Sequence, residues 1–343
     1  MKNITIVVVS VVLLVSVIGC KKIKSLSASV DYPAAYIING ESNTISVINM
    51  ATNEVAGTAT FKKGTWPHHI YATANKGKVV VSLTGMDLSG GHSGGHSMKA
   101  KTYLMTLDAK TLSLLTCIKT ESSAHNALFV NNDAELWLPQ IKSEGIIKVL
   151  NSATLKEISS IAVGDTPLEI TMNSSKNYAF VANSVSNTIS VIDIATKTVV
   201  KTIGVGISPV GAWAGSNNKM YVDCETSKQV FEIDATTLTI TDTIQLKYTP
   251  AYVAFNAKTN QLWVSDTEFG KVRIYNNVNN NWIETTTIPT GDNAHAIAFN
   301  NEQTVAYVTN QGAENVSVID AVALMKIKDI AVGKKPNGIV IIE

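Results

Sequence analysis

Short stretches in which apolar and polar residues alternate follow one another along almost the whole chain. In NTISVID, residues 187–193, Ile189 and Val191 alternate with Thr188 and Ser190, and β-branched residues dominate. Alternation with a period of two predicts a strand with one buried face. The stretch ends at Asp193, and Ala and Thr follow closely, a pattern typical of a turn because a short acidic side chain accepts backbone hydrogen bonds. The pattern therefore predicts an all-β chain.

The same pattern recurs as a repeat, with clear copies that begin at Ala35, Ala179 and Ala306. Seven units appear when they are aligned on the Asp or Asn that ends the third strand of each unit, namely Asn49, Asp108, Asn151, Asp193, Asp234, Asn276 and Asp320. The spacing is 41 to 44 residues, except for one interval of 59 that marks an insertion at 85–101 in the second unit. Four short strands per unit at this spacing predict a seven-bladed β-propeller.

The two ends of the repeated region predict how the ring closes. The C-terminal PNGIVIIE, from Pro336, matches the first strand of a unit, whereas AAYIING, from Ala34, matches a second strand. Blade one is therefore expected to combine both termini, which removes the free sheet edges.

Several motifs resemble those of the YVTN, or YncE-like, family of seven-bladed propellers. These are AYVTN at 306–310, SNTISVID at 186–193 and the G-x-x-P spacers that start at Gly164 and Gly333. The resemblance covers residues 34–343. It implies the fold but no particular activity, because propellers host many unrelated functions.

The N-terminus has the features of an export signal. A short basic start precedes an apolar run from Ile4 to Ile18, which is too short to cross a bilayer. VIGC, which ends at Cys20, resembles a bacterial lipobox, so we expect a signal peptide at 1–19 and a lipidated Cys20 with a tether at 20–33. The expected location is the bacterial cell envelope, facing the periplasm, with the membrane as partner through the lipid. The alternative is an ordinary secretory signal with a chance cysteine.

Composition excludes several functional classes. With 45% hydrophobic and 16% charged residues, the chain is a folded domain rather than a disordered one. The 28 basic and 27 acidic residues leave no basic surface for nucleic acid, and no glycine-rich phosphate loop indicates a nucleotide cofactor. Two cysteines follow Cys20 in the chain. These are Cys117 and Cys224, and both are expected to be small buried thiols.

Histidine recurs at one structural position. One position in the link before the first strand is equivalent in every blade. The residue that follows it is His295 in blade seven, Asn337 in blade one, His68 in blade two and His125 in blade three. First strands line the channel of a propeller, so these side chains, from blades seven, one, two and three, can converge at one mouth. Strict alternation predicts that the neighbouring candidate His69 faces away, unless the turn is irregular.

The insertion adds candidate ligands on the same face. It contains His92 and His96, with Met86 and Met98 as auxiliary candidates. Imidazole with thioether favours copper, and zinc is the second choice. Alternatively, the aligned histidines bond neighbouring carbonyls, and the Gly-Ser-His stretch is a flexible spacer.

The resulting hypothesis is an exported, membrane-anchored propeller that binds a transition metal. Binding is favoured over catalysis because no set of acid, base and nucleophile is visible. One alternative is a scaffold that docks another envelope protein without metal. A second is a metal-assisted lyase or lactonase.

Overall fold

The computed structural model describes residues 23–88, 101–216 and 218–343. Within these residues all regular structure is β, in seven antiparallel sheets. The strands of blade one are β1 (Ile23–Lys24), β2 (Ala34–Asn39), β3 (Thr44–Asn49), β4 (Glu54–Phe61) and β29 (Pro336–Ile342); those of blade two are β5 (Pro67–Ala72), β6 (Lys78–Leu83), β7 (Tyr103–Asp108) and β8 (Leu114–Lys119); those of blade three are β9 (Leu128–Val130), β10 (Glu135–Gln140), β11 (Ile146–Asn151) and β12 (Glu157–Ala162). Blade four has β13 (Pro167–Met172), β14 (Tyr178–Asn183), β15 (Thr188–Asp193) and β16 (Thr198–Gly204); blade five has β17 (Pro209–Ala214), β18 (Lys219–Cys224), β19 (Gln229–Asp234) and β20 (Thr239–Gln245); blade six has β21 (Pro250–Asn256), β22 (Gln261–Asp266), β23 (Lys271–Val278) and β24 (Asn281–Pro289); blade seven has β25 (Ala294–Phe299), β26 (Val305–Asn310), β27 (Asn315–Asp320) and β28 (Met325–Ala331).

The predicted seven-bladed propeller is confirmed. The first strands of neighbouring blades contact one another; for example, β13 contacts β17, and β29 contacts β5. These strands therefore form the innermost ring. Blade one is closed by the two termini, because β2 pairs with β29 from Ala34↔Ile342 to Asn39↔Pro336. This pairing leaves the ring without an unpaired innermost strand.

The expected tether is docked on the propeller over part of its length. Ile23 and Lys24 form β1, which pairs with Phe61 and Thr60 of β4 and makes blade one five-stranded. Further along, the Val30 amide donates to the Lys110 carbonyl of blade two at 2.9 Å. Any free tether would therefore have to precede Ile23.

A side-chain ladder explains the recurring Asn and Ser of the blades. Asn183 at the end of β14 donates through Nδ2 to the Thr188 and Ser190 hydroxyls of β15, at 3.1 and 2.9 Å. Asn39 and Asn310 make the same kind of bond in blades one and seven. The motif joins second and third strands where both are buried and a free amide would be costly.

The cores lie between adjacent blades, where the apolar faces of neighbouring sheets pack together, and the bulky Trp137 and Trp263 are fully buried. Cys224 is free and buried as expected. The expectation for Cys117 is wrong, because this residue is held in a disulfide. Among the described residues, no helix is long and apolar enough to cross a membrane.

Candidate metal centre

A β-bulge brings the two adjacent histidines of blade two to the same place. In β5, His68 pairs with Ser82 and Ile70 with Val81, so His69 is the extra residue of the bulge. The His69 backbone has φ 46°, and the two rings meet edge to face with centroids 4.6 Å apart. A left-handed backbone at a bulky residue costs about 1–3 kcal/mol and is concentrated at functional sites. The prediction from strict alternation, that His69 faces away, therefore does not hold, because the strand start is irregular.

His125 completes a buried cluster of three imidazoles. It lies in the link before β9, and its Nε2 is 3.0 Å from Nε2 of His68. One ligand atom from each of His68, His69 and His125 lies within 4.8 Å of the others, and the three residues are 2%, 5% and 1% exposed. This group could hold a metal ion.

Glu169, which the sequence analysis did not single out, supports the cluster from blade four. It is fully buried in β13, and its Oε2 is 2.5 Å from Nδ1 of His125 and 4.0 Å from Nε2 of His69. The Tyr71 hydroxyl donates to Oε1 of the same carboxylate. Burial, with the negative charge of Glu169 as the next cause, raises the pKa of Tyr71 well above its usual value, which keeps the phenol protonated as a donor.

A sequence feature could have identified Glu169. It stands two residues after Pro167, the position that His69 has after Pro67, within the otherwise apolar stretch PLEITM. A charged residue in an innermost strand needs a partner in the channel. The recurrence of histidine involves the first residue after the recurring position, whereas Glu169 is the second.

The hydrogen bonds orient His125 as a ligand. Because a carboxylate accepts, His125 donates from Nδ1 to Glu169, and its Nε2 then accepts from the Nε2–H of His68, a proton that a bound metal would displace. A buried carboxylate behind a ligating histidine orients the ring and makes it a better ligand. Two nitrogens on one tetrahedral metal at ~2.05 Å lie about 3.3 Å apart. The observed 3.0 Å between the Nε2 atoms of His68 and His125 is therefore close to the ligand spacing, while the ligand atoms of all three histidines lie within 4.8 Å of one another.

The other candidates are placed differently. The His295 ring is buried, with its centroid 6.0 Å from that of His69, at the edge of the cluster. Asn337 is buried and donates through Nδ2 to the Pro67 carbonyl at 3.3 Å, rather than joining the group. Met86 packs against an apolar cluster. Residues outside the described part of the chain are His92, His96, Met98 and the expected lipidation site Cys20.

Blade one shapes the back of the site. A Cβ atom at Gly338 would lie 2.6 Å from Cα of His69, so only glycine allows the bulge to pack this closely against β29. The positions of His68, His69 and His125 therefore depend on contacts among several blades.

Several solved structures are similar to the chain over most of its length. One is a functionally unknown protein from Desulfotomaculum acetoxidans, with 14% identity over 90% of this chain and 98% of that chain and a TM-score of 0.71. Another is the periplasmic gluconolactonase PpgL of Pseudomonas aeruginosa, with 12% identity over 91% and 99% of the two chains and a TM-score of 0.73. Kuenenia stuttgartiensis hydrazine synthase has 15% identity over 82% and 96% and a TM-score of 0.68. At these identities the likeness shows the shared fold alone.

Comparison with curated proteins gives no significant match to the sequence. Comparison with protein families matches residues 53–334 to DUF5074, described as a domain of unknown function. This match covers most of the chain and all seven blades in whole or in part. The chain therefore belongs to the DUF5074 family.

Proposed function

We propose that the protein binds one transition metal ion at His68, His69 and His125 in the propeller channel. The observation that carries the proposal is the burial of three imidazoles within 4.8 Å of one another. A cation placed among three imidazoles can accept a lone pair from each of them at once, and this donor set is common in transition-metal sites. The carboxylate of Glu169, with Tyr71 behind it, supplies the negative charge that offsets the ion.

Copper is the proposed metal. A set of three imidazoles suits copper, zinc, iron and nickel, and among divalent first-row ions Cu²⁺ binds nitrogen ligands most tightly. Met86 adds little support for copper as a thioether ligand, because it packs against apolar side chains. Zinc is the main competitor.

The test is a titration of the metal-free, full-length chain in detergent with Cu²⁺ or Zn²⁺ against a chelator of known affinity. The expected result is binding of one ion per chain, abolished in the His68→Ala/His125→Ala double variant. His295→Ala is the matched control, since it removes a buried histidine of the same first-strand column outside the cluster; its affinity should stay within about tenfold of wild type. An equal loss of metal affinity in His295→Ala would show that the metal does not bind specifically at His68, His69 and His125. No binding to the wild type would refute the proposal and favour the metal-free envelope scaffold.

We further propose that the protein is an exported, YVTN-like lipoprotein of the cell envelope, anchored through Cys20 and facing the periplasm. The apolar run from Ile4 to Ile18 and the lipobox-like VIGC support this proposal.

The chemical state of Cys20 makes lipidation testable. The chain has three cysteines, of which Cys224 is free and Cys117 is disulfide-bonded. A Cys20 sulfur that is bonded to Cys117 cannot also carry a thioether-linked lipid. Mass spectrometry of the N-terminal peptide from membranes should find acylated Cys20 at the new N-terminus. An unmodified Cys20 linked to Cys117 would refute the anchor.

A second candidate function is metal-assisted hydrolysis of a lactone. Within the described part of the chain the group offers three histidines, the donor set of catalytic zinc sites, which leave a position for water. One protein of similar fold is described as a gluconolactonase. Loss of glucono-δ-lactone should be measured with metal-free protein, zinc-loaded protein and the zinc-treated double variant. Equal rates in all three would exclude this activity.

A further inference from the structure

The start of the insertion reaches from blade two to an apolar cluster formed by residues of blades three, four and five. Leu88 is 7% exposed and packs with Ile141, Leu168 and Val210. These partners belong to blades three, four and five, whereas the segment leaves β6 in blade two. Leu168 and Val210 occupy, in their own blades, the position that His68 has in blade two. The segment therefore reaches over the mouth to the first strands of distant blades.

Polar contacts hold the rest of this segment. The Thr84 hydroxyl donates either to the Trp66 carbonyl at 2.8 Å or to the Met86 carbonyl at 2.7 Å. The Asp87 carboxylate lies 2.6 Å from Nζ of Lys335, in the link that leads into β29. Both members of this ion pair are about one third exposed, so the pair is a weak anchor compared with the buried Leu88.

We propose that residues 84–88 form a cover over the metal centre and that Leu88 is its latch. Metal ions then pass this mouth of the channel only when Leu88 leaves its apolar pocket. The inference rests on the proposed metal centre and adds how access to it is controlled. It also limits what enters to ions and small ligands, because the three histidines are buried.

The cover has a kinetic signature. Its anchors are separate from His68, His69 and His125, so opening should require the same free energy with and without metal. Association and dissociation rate constants should then both scale with the open fraction, and the dissociation constant should not change. A residue that only stabilises the bound metal would change the dissociation constant instead.

The experiment compares Leu88→Ala with wild type in stopped-flow association of Zn²⁺ and in its release to excess chelator, with the full-length chain. Both rate constants should rise about tenfold, equivalent to ~1.4 kcal/mol of lost anchoring, with the same dissociation constant. Ile207→Ala is the matched control, because it shortens an exposed aliphatic side chain in a link on the same face. Asp87→Asn, which loosens the weaker anchor without shortening a buried side chain, should raise both rates by a smaller factor.

A metal-independent measurement separates failure of the cover from failure of the metal site. Diethyl pyrocarbonate modifies accessible imidazoles, and in metal-free protein Leu88→Ala should accelerate modification of His68, His69 or His125 about tenfold. Faster modification without metal binding would refute the proposed function but retain the cover. If Leu88→Ala binds metal with unchanged rate constants and its histidines are modified at an unchanged rate, the proposed cover is wrong. Metal ions would then reach the site by another route.

Discussion

Glu169→Gln tests whether the buried carboxylate orients the proposed metal ligands. The substitution keeps the shape of the side chain and removes its charge. The remaining carbonyl oxygen can still accept the hydrogen bond from Nδ1 of His125, and the new amide can donate to the Tyr71 oxygen, which can act as an acceptor. The hydrogen-bond geometry is therefore retained, and the charge is the property that changes.

The size of the effect follows from the two bonds that are altered. A hydrogen bond to a charged group contributes about 1.5–3 kcal/mol, against 0.5–1.5 for a neutral one. Removing a carboxylate behind a ligating histidine typically weakens metal binding about 10- to 100-fold, or ~1.4–2.8 kcal/mol. Because Glu169 is fully buried, little screening by solvent reduces this figure.

The assay is chelator competition at fixed pH, with thermal unfolding of the metal-free protein as a control for folding. We expect the Cu²⁺ affinity of Glu169→Gln to fall by the stated factor with one ion still bound per chain. Glu169→Ala, which also leaves Nδ1 of His125 and the Tyr71 hydroxyl without their acceptor, should lose more affinity and also stability. Wild-type affinity in a folded Glu169→Gln variant would refute the role assigned to the carboxylate.

Further substitutions test the surroundings of the site. Gly338→Ala should lower the thermal midpoint, with a cost of about 1–3 kcal/mol, and should weaken metal binding, because its Cβ would lie 2.6 Å from Cα of His69. An unchanged midpoint by calorimetry and an unchanged affinity by titration would show that β29 moves to accommodate the methyl group. Tyr71→Phe removes one hydrogen bond to Glu169 and should weaken metal binding only a few-fold by titration, so a loss as large as that of Glu169→Gln would contradict the arrangement. Cys224 should react with iodoacetamide only after unfolding, because burial and then the negative charge of Asp223 raise its pKa; rapid alkylation of the native protein, followed by mass spectrometry, would disagree.

Much of the fold was predictable because it is repeated. Alternation with a period of two, the spacing of the Asp and Asn turns and the matching termini specify strands, blade number and ring closure by local chemistry. The docking of Ile23 and Lys24 on β4 was not predictable, because this short polar segment has no pattern of its own and pairs only where blade one offers an edge.

The candidate site was only partly predictable. The recurrence of His68 and His125 at one strand position predicted that they lie near the channel axis, and the structure brings their Nε2 atoms to 3.0 Å. His295 shares that column, but its ring lies at the edge of the cluster, because the circumference of a seven-bladed ring separates its blade from that of His125.

The sequence by itself determined what repeats: the strands, the seven blades, their closure and the column of histidines at the strand starts. The tertiary structure alone decided how the residues that differ among the repeats meet. The bulge turns His69 toward His68, blade four supplies Glu169 to His125, and Leu88 reaches the far side of the mouth. The physical reason is that alternation and turn chemistry act between neighbours in the chain. Bulge geometry and contacts across the channel depend on where residues far apart in sequence meet.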